Sequence, residues 1–107
     1  MSRIAILGAV HVRADQRATL LDRARPLIEA SRAEEGCLDY AFLPDPHDPT
    51  LVRIVELWED EAALRHHFTL PHFAEAGALM GEHVTERGEI AKHVVSWSGG
   101  VMDELPG

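Results

Sequence analysis

One cysteine in 107 residues, Cys37, leaves this chain unable to close an internal disulfide. A reducing compartment, the cytoplasm, is therefore its expected setting. Basic residues are also scarce: ten Lys and Arg stand against eighteen Asp and Glu, a formal charge of −8. The ten are scattered and form no run. Neutralising a phosphate backbone needs clustered cations, so nucleic acid is not an expected partner. The longest apolar stretch, Ile4 to Val10, is seven residues, well short of the roughly 20 that cross a bilayer as a helix. No cleavable leader is expected either, and no membrane partner. Repeats and low-complexity segments are absent. Around Cys37 nothing would lower a thiol pKa; Asp39 and the pair Glu34 and Glu35 would raise it. A small buried hydrophobe is the favoured reading over a nucleophile.

What is present reads as one α+β domain over residues 1–98, near the commonest domain size, with a tail over 99–107 that is loose or reaches onto a partner. Ile4, Ile6, Val10 and Val12 alternate onto one face of a first strand, with His11 and Arg13 on the other. Asp15 can cap a helix running to about Glu34, whose apolar side carries Leu20, Leu21, Ala24, Leu27, Ile28 and Ser31. Pro26 should loosen one of its turns and Gly36 should end it. Cys37 to Leu43 forms a second strand with Leu38, Tyr40 and Phe42 on one face. The turn-rich PDPHDPT follows, then a third strand from Leu51 to Trp58. Asp60 caps a second helix that turns Leu64, His67 and Phe68 inward. Pro71 interrupts it, a further helical piece runs to about Met80, and Glu89 to Ser98 is the last strand.

The order βαββαβ is the ferredoxin-like unit, a four-stranded antiparallel sheet with helices on one side. Leu51 to Leu57 is apolar on both faces, so the bare side of the sheet should be covered too. A second copy of the chain is the economical cover, and a homodimer with sheets face to face is expected.

Seven histidines raise the question of a metal. His66 and His67 are adjacent and cannot both face one ion from a helix, while His67 and His72 are separated by Pro71. No HxH or HxxxH pair exists, and Cys37 has no partner at ligand spacing. Spacing therefore points to no metal site.

The segments EEGCLDY (34–40) and ELWEDEAALRHHFTLPHF (56–73) resemble the antibiotic biosynthesis monooxygenase domain, over roughly residues 4 to 98. That resemblance implies a dimeric α/β barrel. Its relatives include quinol and anthrone oxygenases that use no cofactor, haem-degrading enzymes, and an isomerase of a phosphorylated signalling sugar. The haem-degrading relatives place an Asn on the first strand and a His on the second helix, where this chain has Gly8 and Gly77. The isomerase has a Tyr where this chain has Trp58.

The resemblance thus implies a monooxygenase that oxidises a small quinol-like or polyphenolic aromatic compound with dioxygen and without a cofactor. Such chemistry needs a base, hydrogen-bond donors for the substrate anion and a dry pocket. His67 is the first candidate for the base, or else a core histidine. Trp58 offers an indole N–H and an aromatic wall, or is core alone. Glu56, on the same strand face, could orient an imidazole or a substrate hydroxyl, or sit at a wet mouth. Tyr40, Phe73, His72 and His11 are candidate substrate contacts, each with a structural alternative. Two other functions fit the same residues: an isomerase or lyase that uses the base beside a carbonyl, and a ligand-binding module without chemistry.

Overall fold

Alternating β-branched residues start the chain on the strand β1 (Ile4–Val12), in a computed structural model that describes residues 2–107. A 3₁₀ turn over Ala14–Gln16 leads into helix α1 (Arg17–Arg32), then strands β2 (Cys37–Pro44) and β3 (Leu51–Trp58). Helices α2 (Glu61–His67) and α3 (Pro71–His83) follow, and β4 (Val84–Val94) closes the order βαββαβ. All neighbours in the sheet, β2-β3-β1-β4, pair antiparallel. This is the expected ferredoxin-like α+β fold.

The inner face of the sheet buries Val10, Val12, Val52 and Ile54 against Leu20 and Ala24 of α1 and Leu79 of α3. Asp60 caps α2 as its sequence position suggests, its Oδ1 accepting the Ala63 N–H at 2.8 Å. Pro71 occupies the first turn of α3, where its missing N–H would go unpaired in any case. Helix α1 runs on through the exposed Pro26.

Four expectations need correction. Asp15 does not cap α1; its carboxylate pairs with Arg13 at 2.8 Å, and the 3₁₀ turn makes the entry instead. Helix α1 stops at Arg32, and Gly36 makes the tight entry to β2 at φ +87, a left-handed conformation that favours glycine. Leu38 does not join Tyr40 and Phe42 inside: a bulge between Cys37 and Asp39 breaks the alternation and leaves it 47% exposed. Strand β4 begins at Val84, five residues before the expected start. The polar run Thr85–Glu89 reads as a loop, but β4 is an edge strand, where charged side chains are tolerated and discourage edge-to-edge association.

Candidate functional site

The pleat of β3 sends Val52 and Ile54 into the aliphatic core, and then Glu56 and Trp58, on the same face, into a second cluster with Ile4, Tyr40 and Leu64. Between this end of the sheet and helices α2 and α3 lies a cleft of about 740 Å³. Its walls include Ile6, Tyr40, Phe42, Glu56, His67 and Phe73, with Arg87 and Lys92 of β4 on one side. The lining is mainly aliphatic and aromatic with a few polar groups, the usual make-up of a small-molecule site.

His67, in the last turn of α2, is buried to 2% exposure. Its Nδ1 lies 2.6 Å from Oε2 of Glu34, in the turn between α1 and β2, whose side chain is 6% exposed. The same oxygen lies 2.7 Å from Nε2 of His72, the second residue of α3. An ionised carboxylate can only accept, so each imidazole donates its N–H. That fixes the His67 tautomer and leaves Nε2 as the nitrogen available to the cleft. The other Glu34 oxygen, Oε1, is buried without a hydrogen-bond partner.

Glu34 did not emerge from the sequence as a site residue. It stands at the expected helix end, beside a second glutamate, and the one effect expected of it is to raise the Cys37 thiol pKa. The available signal was EEG followed by an apolar strand, which brings one carboxylate under the sheet end. Spacing also hid the union of His67 and His72. Pro71 breaks the helical path, and the intervening turn returns the chain to the same carboxylate.

Trp58 takes the second of its two expected places, in the core. It is fully buried behind the cleft, and its indole N–H is spent on Glu56 Oε1 at 3.0 Å. Its ring packs on His67 with centroids 4.6 Å apart, so the two residues meet each other and only the imidazole lines the cleft. Burial, partly offset by that indole bond, raises the Glu56 pKa above the ordinary carboxyl value. Tyr40 also lines the cleft, 5.6 Å from the His67 ring; burial and then Glu56 hold its phenol neutral well beyond physiological pH, so it can donate. Phe73 stands edge-on to His67 at 5.2 Å.

His72 does not line the cleft and touches Glu34 instead. His11 points to the opposite face of the sheet, with Nδ1 2.9 Å from Thr50 Oγ1, because residues next to the inward Val10 and Val12 must point outward. The structure does not bring it to the cleft. Burial and the neighbouring Glu34 push the Cys37 thiol up to about 11, which keeps it protonated. A side chain at Gly8 would meet Ile90 of β4 at 2.6 Å, so this strand pair has no room for the Asn of the haem-degrading relatives.

Together these features define a small ferredoxin-like α+β domain with a buried Glu–His–His cluster beside a mainly apolar cleft. The chain belongs to the antibiotic biosynthesis monooxygenase family, whose profile matches residues 3–79. An uncharacterised protein of Synechocystis, sll1783, is 33% identical over 72 residues, 67% of this chain and 49% of that protein. The match therefore spans about half the length of that cyanobacterial relative. YcnE of Bacillus subtilis, named as a candidate monooxygenase, is 31% identical over 70 residues, 65% of this chain and 74% of YcnE. Among solved structures, a candidate antibiotic biosynthesis monooxygenase from Deinococcus radiodurans superposes with a TM-score of 0.82 at 25% identity, covering 94% of this chain and 99% of that one. Membership supports a monooxygenase-like role at the level of the family. Among the described residues no helix is long and apolar enough to cross a membrane.

Proposed function

We propose that this protein is a monooxygenase that oxidises a small electron-rich phenol, of the quinol or naphthol type, with dioxygen and no bound cofactor. One observation carries the reading: a buried imidazole at the cleft wall, held by a buried carboxylate at 2.6 Å. Glu34 keeps the proton of His67 on Nδ1, so Nε2 is the acceptor for a substrate hydroxyl proton, and the carboxylate stabilises the imidazolium that results. Tyr40, as a neutral phenol, donates to the substrate anion.

The anion passes one electron to dioxygen, and the phenoxyl and superoxide radicals recombine to a carbon-bound peroxide. Protonation by the imidazolium gives a hydroperoxide. Loss of water from that carbon, which carried one hydrogen, leaves a quinone carbonyl. One oxygen atom ends in the product and the other in water, and no external reductant is used.

The partner we propose is a second copy of this chain. Its support is the outer sheet face, where Leu7 and Leu43 are each 48% exposed beside Ala9, Val55 and Leu57, with Val101 and Met102 bare in the tail. A sheet face of this composition in water favours association. Sedimentation at a monomer's mass would remove that part of the proposal. The cytoplasmic setting expected from the lone cysteine belongs to the same reading.

Oxygen-electrode recordings with naphthohydroquinones test the chemistry. Wild type should consume oxygen well above the uncatalysed rate, and His67→Ala should not. Equal rates would sink the proposal, and turnover under nitrogen would transfer the same base to an isomerase or lyase reaction. Thermal stabilisation by hydroxyaromatics without any conversion would instead favour a binding module.

A further inference from the structure

The cluster that orients His67 also assembles the donor set of a metal site. One carboxylate oxygen of Glu34, His67 Nδ1 and His72 Nε2 all lie within 4.8 Å of one another. Two imidazoles and a carboxylate suit borderline divalent ions of the zinc type. The three groups come from three separate backbone segments: the turn before β2, the end of α2 and the start of α3. Two of the three stand on helices, and the third in the short turn between α1 and β2.

Charge points the same way. Glu34 is buried, and its partners are two imidazoles; no Lys or Arg pairs with it among the described residues. A buried carboxylate whose polar partners are two imidazoles is a setting that a divalent cation complements.

Distances show what binding requires. Ligand atoms around a tetrahedral zinc at about 2.1 Å stand roughly 3.4 Å apart, whereas the two hydrogen bonds here measure 2.6 and 2.7 Å. The carboxylate oxygen must therefore withdraw by about 0.7 to 0.8 Å, and the two imidazole nitrogens, which lie within 4.8 Å of each other, must settle at the same spacing. Oε1 is buried without a partner, so re-aiming that carboxylate breaks no further bond.

We infer that Glu34, His67 Nδ1 and His72 Nε2 form a Zn²⁺ site, one ion per chain, with water completing the coordination. Coordination uses the lone pair of the ligating nitrogen, so that nitrogen carries no proton and the hydrogen of each ring sits on its other nitrogen. For His67 this has a chemical consequence: Nε2 then carries hydrogen and offers the cleft a donor in place of an acceptor. Bound Zn²⁺ therefore silences His67 as a base. That consequence rests on the proposed oxygenase reading, while the site itself rests on geometry and charge.

Calorimetric titration of the chelator-stripped full chain with Zn²⁺ tests the site. One equivalent should bind saturably. His72→Ala, at the half-buried start of α3, and Glu34→Gln should each weaken binding at least about tenfold. His66→Ala, on the exposed side of α2, should leave binding unchanged. Long-range ¹H–¹⁵N spectra of the wild type need no variant, and should show His67 and His72 exchanging tautomers as Zn²⁺ is added. Absence of saturable binding, an affinity indifferent to His72→Ala, or equal loss in His66→Ala would overturn the inference. If Zn²⁺ binds and the tautomers exchange while oxygen uptake persists, the site stands and the base assignment falls. If uptake depends on His67 but Zn²⁺ does not bind, the base assignment stands and the site falls.

Discussion

The two ends of the inner sheet face are built from the same strands but on different terms. At one end Val10, Val12, Val52 and Ile54 meet Leu20, Ala24 and Leu79 in an aliphatic cluster. At the other, Tyr40, Trp58 and Leu64 surround His67, with the buried Glu34 side chain and the half-buried Glu56 beside them. Aliphatic packing is non-directional and tolerates exchange at constant volume. The polar end depends on specific partners, since a buried polar group without one is costly. At this second end Glu34 joins two imidazoles and Glu56 takes the indole N–H. The contrast separates a region that stabilises the fold from one that holds reactive groups in place through specific hydrogen bonds.

The sharpest way to break this comparison is to exchange effects between the ends. At the polar end, His67→Ala should lower oxygen consumption by about 100-fold or more, the usual contribution of a positioned base, read from steady-state rates with a responsive hydroquinone. At the aliphatic end, Leu20→Ala removes a fully buried side chain. It should cost about 3 kcal/mol of unfolding free energy in urea titrations while leaving the rate per folded molecule near that of wild type. A large rate loss in Leu20→Ala would show the two ends to be one coupled unit. Smaller than either is Asp60→Ala, which deletes the cap of α2. A loss of about 1 kcal/mol is expected, with only a minor change in rate, because Pro71 and the Glu34 bond still hold the far end of the helix.

The aliphatic end was the more legible in the sequence, and the reason is physical. Strand alternation and helical spacing report burial directly, so β3, the inward set of β1 and the stripe on α1 could be read from residue type alone. Asp60 and Pro71 were legible because each serves a local backbone need. Leu38 was not, since a bulge shifts phase without a mark in composition. Nor was the start of β4, where an edge strand carries the charges of a loop. The polar end was half legible. His67 and Glu56 follow from helix and strand phase, but Glu34 becomes a site residue only when α1, α2 and α3 converge on it. Trp58 was placed on the right face. What phase could not tell is that its N–H turns along the strand to Glu56 rather than into the cleft.

The smallest expected effect is also the one that tests whether the polar end stores charge at a cost. Burial raises the Glu56 carboxyl above its ordinary value of 4.5, against the lowering effect of the Trp58 indole. A carboxyl with a raised native pKa holds its proton more tightly folded than unfolded. Its contribution to stability is therefore complete below 4.5 and is lost as pH climbs through the raised native value. Glu56→Gln removes this titration yet keeps an amide oxygen to accept the indole N–H. The variant should match or slightly exceed wild-type stability at neutral pH and lose part of the wild-type decline between 4.5 and neutrality. Denaturant titrations at half-unit pH steps would show it. A wild type that gains stability across that window through Glu56, with the gain abolished in the variant, would mean the carboxylate is stabilised by its surroundings, and the contrast between the two ends would lose one of its two buried charges.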